Sequence, residues 1–300
     1  MDTLELQLFM SLSQTLSFTK TANEFFMSQP TVSNYIKSLE SELGVRLLNR
    51  DSRSVSLTPE GQEFVGYTHS LLTLQLEAET RLRNIAEGRR GYIKIAMLTS
   101  AAQLFSECIT EFGAQEQNVQ IDVDIKEGAD MIRAINQGSY DIYFANRYML
   151  TRDDNIEFTV TGTHSLHLFV HRDIAGNIDM RDWSTLSAYK FVSVPDTDFA
   201  LSGQIRQICL SRGIKPDIIN YYNRADTLLL AVNSGIGIAI LPPQLKYCYN
   251  FPNVVSMPIE GEDAEISSVV ARNKNRENPE AFRFLQLKAL TGWRPFAFDC

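Results

Sequence analysis

Ser28-Gln29-Pro30-Thr31-Val32-Ser33-Asn34-Tyr35-Ile36-Lys37-Ser38-Leu39-Glu40-Ser41-Glu42-Leu43-Gly44 decides how the rest of the chain is read. Ser28 suits a helix N-cap, because its hydroxyl accepts from a first-turn N–H that has no intrahelical partner. Pro30 falls in that first turn, where a missing N–H costs nothing. Val32, Ile36, Leu39 and Leu43 recur at three- and four-residue spacing and form one buried stripe. Gly44 ends the helix in the left-handed conformation. The opposite face carries Gln29, Thr31, Ser33, Asn34 and Lys37. Amides and hydroxyls donate to and accept from base edges, and an ammonium reaches a phosphate or a guanine. A buried stripe behind such a face is what a helix set in a major groove requires, and its start favours a phosphate. From this helix alone, a solvated face of a small bundle is an equally good account, since short polar faces are common.

The flanks extend the pattern. Asp2 caps a first helix whose Glu5 reaches back, and Leu4, Leu8, Leu12 and Leu16 with Phe9 make its apolar face. Ser17 caps a second helix, Phe18 to Phe26. Arg50 to Leu57 is short, polar and β-branched near its end, as in a two-stranded wing. Thr58 and Pro59 then begin a long helix as cap and first residue. Phe64, Tyr67, Leu71, Leu74, Ala78, Arg81 and Ile85 alternate at three and four residues. Such a heptad seam is most simply buried against the same helix of a second copy; packing on its own domain is the alternative. Gly88-Arg89-Arg90-Gly91 reads as a hinge.

Several runs together resemble the N-terminal domain of LysR-type transcription regulators. They are Leu16-Ser17-Phe18-Thr19-Lys20-Thr21-Ala22, Met27-Ser28-Gln29-Pro30-Thr31-Val32-Ser33, Ile36-Lys37-Ser38-Leu39-Glu40-Ser41-Glu42-Leu43-Gly44-Val45, Leu47-Leu48-Asn49-Arg50 and Leu57-Thr58-Pro59-Glu60-Gly61. Downstream, Val232-Asn233-Ser234-Gly235-Ile236-Gly237-Ile238-Ala239-Ile240-Leu241-Pro242 is similar to a second family stretch. Thr21 stands where the family usually has alanine, Leu48 where it has phenylalanine, and Asn34 where many members carry arginine. The resemblance implies an α/β protein with an N-terminal winged helix-turn-helix (1–58), a linker helix and hinge (59–91), and a two-lobed Rossmann-like domain shaped like a periplasmic binding protein (92–300). Lobe I then takes about 92–161 and 267–300, and lobe II about 162–266. The implied partners are operator DNA, a small-molecule effector between the lobes, a second copy and by resemblance a tetramer, and RNA polymerase if the protein activates. On the DNA side Ser28, Gln29, Pro30, Thr31, Ser33, Asn34, Lys37 and Thr58 are the candidates, with Arg50 and Arg53 on the wing for flanking phosphates or a minor groove.

Residues after the hinge agree with a two-lobed reading. Strands at 92–97, 119–125 and 141–145 alternate with helices from Ala101 to Phe112 and from Met131 to Gly138, which implies a parallel sheet. A second unit begins near Leu166, with strands at 166–171, 191–194, 218–222 and 236–241. Its helices run from Leu201 to Arg212 and from Asp226 to near Gly235. Strand 267–271 and helix 279–290 close the chain. Ligands of such units sit at the carboxyl ends of strands. Thr99 and Ser100, where the first strand becomes a helix, suit a carboxylate, although simple helix capping accounts for them as well. Gly128, Thr197, Phe199, Ser202 and Asn223 complete the candidate effector set, while Glu127 and Asp130 put acid on the same wall.

Composition bounds the alternatives. The chain has 300 residues and a formal net charge of −8, so it does not coat nucleic acid nonspecifically. Five basic and six acidic side chains before Thr58 leave its DNA module at −1, which puts the burden on placed contacts and oligomerisation. No run approaches the ~20 apolar residues of a membrane span, and the acidic start does not read as a signal peptide; a cytoplasmic protein is expected. Cys108, Cys209, Cys248 and Cys300 are scattered and read as reduced thiols. His164, His167 and His171 lack companion ligands, so neither a metal nor a cofactor is expected. No nucleophile elbow or phosphate loop suggests an enzyme. A solute-binding protein and an architectural DNA protein that senses nothing are the remaining competitors.

Overall fold

The structure, a computed structural model, describes residues 1–51, 54–86, 91–150, 155–196 and 199–291. It divides into two compact units, Met1–Gly88 and Arg89–Cys300.

The first unit opens with α1 (Thr3–Thr15), α2 (Phe18–Glu24) and α3 (Gln29–Leu43). Asp2 and Glu5 cap α1 reciprocally, Asp2 accepting from the Glu5 N–H at 2.7 Å and Glu5 from the Asp2 N–H at 2.9 Å. Leu8, Phe9 and Leu12 are fully buried against Val32, Ile36, Leu39, Leu47 and Leu48. Leu16 departs from the expected stripe. It is the left-handed C-cap of α1 (φ 48°) and is 44% exposed. The second helix also ends two residues early, because Phe26 takes φ 54° and starts the turn into α3. β1 (Leu48–Asp51) and β2 (Ser54–Leu57) pair antiparallel, Leu48 opposite Leu57, as the wing. α4 (Pro59–Ala86) follows, with Phe64 5.3 Å from Phe9. Gly61 is required there, since a methyl group on it would sit 2.0 Å from the Leu47 carbonyl oxygen.

The second unit starts with β3 (Gly91–Met97), α5 (Ala102–Gln115), β4 (Val119–Ile125), α6 (Gly128–Asn136), β5 (Ile142–Asn146) and β6 (Ile156–Ser165). It continues with β7 (His167–His171), α7 (Arg172–Ala175), β8 (Phe191–Ser193), α8 (Phe199–Ser211), β9 (Ile218–Tyr221), α9 (Ala225–Asn233), β10 (Ala239–Leu241) and α10 (Leu245–Cys248). β11 (Val254–Pro258), β12 (Glu265–Asn273), α11 (Pro279–Leu285) and α12 (Lys288–Thr291) complete it. One sheet has the order β4-β3-β5-β12-β6 and a second β10-β7-β11, with β8 and β9 paired beside it.

The parallel sheet expected of the first three strands forms, and two further strands extend it in mixed directions. β3 is parallel to β4 and β5, but β12 runs antiparallel to both β5 and β6. β6 carries the chain out to the second sheet and β12 brings it back, so these two run antiparallel, and β12 also pairs antiparallel with β5. β6 and β11 are additional strands, both at sheet edges, and β6 carries the first sheet to Ser165. The closing helix is broken between Leu285 and Lys288. Phe105, Phe112, Phe144 and Phe284 fill the core on one face of the first sheet, and Met131, Ile135 and Tyr143 on the other. The Asp141 carboxylate, 2% exposed as a residue, accepts from the Lys94 N–H at 2.8 Å and pairs with Arg276 at 3.3 Å.

Candidate functional site

In the first unit the sequence builds the predicted face. The Ser28 hydroxyl accepts from the Thr31 N–H at 3.3 Å, fixing the start of α3. Val32, Ile36 and Leu39 are fully buried. Gln29, Pro30, Thr31, Asn34 and Lys37 are exposed and Ser33 is half-buried beside them. One helix face therefore presents amide, hydroxyl and ammonium groups together.

Two residues differ from expectation. Arg50 is not a free cation on the wing: it pairs with Glu40 at 2.7 Å, lies 3.5 Å from the Ser33 hydroxyl and stacks 5.2 Å from the Phe18 ring centroid. The other Glu40 oxygen accepts from the Leu47 and Leu48 N–H groups at 2.9 and 3.1 Å. Glu40 thus ties α3 to β1 and holds Arg50 against the polar face of α3, a role that its place in the Leu39-Glu40 motif alone did not reveal. Thr58 is buried rather than presented. Its hydroxyl donates to the Arg46 carbonyl at 2.7 Å and accepts from the Gly61 N–H at 2.9 Å, which caps α4. Arg53 lies outside the described residues.

In the second unit the loops at the carboxyl ends of β3, β4 and β9 surround a cavity of about 530 Å³. Thr99, Ser100, Gly128 and Asn223 all line it. Thr99 and Ser100 lie on a single 3-10 turn that leads into α5, and Gly128 opens α6 with φ 45°. Ser202 is buried in α8, where its neighbour Leu201 reaches the cavity instead. Phe199 is the first residue of α8, and Thr197 lies outside the described residues.

The backbone of Thr99 is used by both walls. Its N–H donates to Glu127 at 3.1 Å, and its carbonyl accepts from the Cys248 thiol at 3.2 Å. Arg133, Arg224 and Tyr249 also line the cavity and were not anticipated. Arg224 directly follows the candidate Asn223, but Tyr249 comes from a segment with no local signal. Burial pushes the Cys108 and Cys209 thiols up to about 12, so both stay protonated at neutral pH. Among the described residues no three His, Cys, Asp or Glu side chains gather as for a metal ion. No described helix is long and apolar enough to cross a membrane.

Comparison with known proteins matches the two units separately. Residues 4–62 match the bacterial regulatory helix-turn-helix of the lysR family, and residues 86–287 match the LysR substrate binding domain. The chain is 25% identical over 294 residues to YnfL of Escherichia coli, an uncharacterised regulator of this kind, covering 96% of this chain and 98% of that one. It is 27% identical over 286 residues to BenM of Acinetobacter baylyi, covering 92% and 91%. Among solved structures, the LysR family regulator CbnR superposes with a TM-score of 0.71 at 20% identity, over 95% of this chain and 97% of that one. CbnR has also been solved with its target DNA, and that structure superposes with a TM-score of 0.69 at 19% identity, over 97% and 99%. The chain belongs to the LysR family of DNA-binding transcription regulators, with a helix-turn-helix in its first unit and an effector-binding domain in its second.

Proposed function

We propose that α3 reads base edges with Gln29, Thr31, Ser33, Asn34 and Lys37, while Ser28 and Pro30 set the helix start against the phosphate backbone. The observation that carries this is the exposed polar face of α3 directly opposite its buried Val32, Ile36 and Leu39. Arg53 serves the phosphates beside the wing. Arg50 acts chiefly by bracing α3, and Thr58 by seating the start of α4, given the partners each already has. The effector sits in the cavity against Thr99, Ser100, Gly128 and Asn223, with Leu201 on the α8 side. Two copies pair through the α4 stripe, on which Tyr67, Leu71 and Leu74 are 62%, 40% and 64% exposed. Leu210 of α8, exposed and outside the cavity, supports a further association into a tetramer. The protein works in the cytoplasm.

Selection from a randomised duplex pool by the full-length chain tests this reading. Enrichment of one sequence with two related half-sites is expected, because a two-fold dimer reads a two-fold site. A pool that stays random after repeated rounds favours an architectural DNA protein instead.

A further inference from the structure

Resting on the reading that this cavity holds the effector, we propose that the effector is a small organic cation and that Glu127 selects it. The first observation is that a carboxylate of the protein already holds one of the donors that a ligand carboxylate would use. The Thr99 N–H at the cavity wall already donates to the Glu127 carboxylate at 3.1 Å. A ligand carboxylate that uses the Thr99 N–H must displace Glu127, and one that docks at Ser100 still meets its charge at close range, which is costly in a partly desolvated site.

The second observation concerns the guanidinium groups that could otherwise attract an anion. Among the described residues, the charged side chains lining the cavity are Glu127, Asp130, Arg133 and Arg224. Arg133 is paired with Asp130 one turn away. Arg224 is gripped by Asp226 through three contacts of 3.1, 3.2 and 2.6 Å and is also attracted by Glu127, so two carboxylates share its charge. Among the described residues, and counting Asp226 with its partner, three carboxylates face two guanidiniums, a balance of −1. The third is aromatic. Tyr148 and Tyr249 both line the cavity, and phenol faces attract an ammonium group. Burial raises the Tyr249 phenol above its ordinary value, so that ring is neutral at physiological pH. The cavity, at about 530 Å³, is in the range that takes a whole small molecule.

Isosteric probe pairs test the proposal: benzylamine against benzoate, and putrescine against succinate. They are titrated calorimetrically at constant ionic strength into the full-length protein, Glu127→Gln and Ala129→Trp. Glutamine keeps an acceptor for the Thr99 N–H and removes only the charge; Ala129 lines the cavity, and tryptophan there fills it. The parent is expected to bind at least one amine tenfold or more tightly than its carboxylate counterpart. Glu127→Gln is expected to abolish that preference, and Ala129→Trp to abolish binding. Equal or tighter carboxylate binding by the parent overturns the proposal. So does a preference that survives Glu127→Gln, or the absence of amine binding at millimolar concentration. Carboxylate binding that Ala129→Trp removes would leave the cavity as the effector site and sink only the cation assignment. Binding of either class that Ala129→Trp leaves intact would sink the cavity reading itself.

Discussion

Leu74→Ala probes the self-association through α4. The helix has 28 residues, a length of about 42 Å at 1.5 Å per residue. Tyr67, Leu71 and Leu74 follow at four and three residues and are all exposed in the single chain, Leu74 at 64%. Burying a leucine side chain completely stabilises by about 1.5–3 kcal/mol. Leu74 has roughly two-thirds of that left to gain, or about 1–2 kcal/mol per copy. A two-fold interface uses the position twice, giving about 2–4 kcal/mol for the dimer. At about 1.4 kcal/mol per tenfold, the dissociation constant rises roughly 30- to 700-fold. Leu76, also 62% exposed, points away from the stripe and serves as the control. Sedimentation equilibrium on the two variants and the parent is the assay. A Leu74→Ala constant within threefold of the parent, or a Leu76→Ala loss of equal size, would refute the assignment of the seam.

Three further outcomes follow from packing and burial. Gly61→Ala forces a methyl group onto the Leu47 carbonyl and should cost the first unit roughly 1–3 kcal/mol, read as a lower urea midpoint. Asp141→Ala leaves Arg276 and the Lys94 N–H without their carboxylate and should destabilise the second unit by about 3 kcal/mol, a midpoint shift that spares the first unit's transition. Burial, assisted by Lys246, pushes His167 down to about 4 from its ordinary 6.5. The unfolded chain then binds more protons between those values. Stability from this group is therefore complete above pH 6.5 and is lost as pH falls toward 4. His167→Gln should flatten the fall in melting temperature between pH 6.5 and 4.5; an unchanged slope would mean that His167 does not titrate as its burial implies.

The sequence was most informative where one period or one cap dominates. The caps at Asp2, Ser17, Ser28 and Thr58 all form as read, because each depends on a side chain and a backbone N–H only a few residues apart. The buried stripe of α3 is legible for the same local reason. Long-range partners were not. Nothing near Arg50 says that Glu40 and Phe18 will hold it, and nothing near Thr58 says that Arg46 will take its hydroxyl. The parallel pairing of β3, β4 and β5 follows from the alternating pattern, whereas the antiparallel entry of β12 depends on where the chain returns, which no local pattern encodes. In the cavity, strand-end residues such as Thr99, Gly128 and Asn223 were found from topology, whereas Tyr249 comes from the far side of the fold.

The central claim, that α3 reads the bases, is tested most directly by fluorescence anisotropy on the selected duplex and its single-base variants. Parent, Gln29→Ala and Ser33→Ala are titrated on each. The expected result is a loss of about 1–3 kcal/mol that is confined to one base pair per half-site, where each variant also ceases to discriminate among bases. A uniform loss on every duplex, with discrimination unchanged at all positions, would contradict the account and leave base reading to some other element of the first unit.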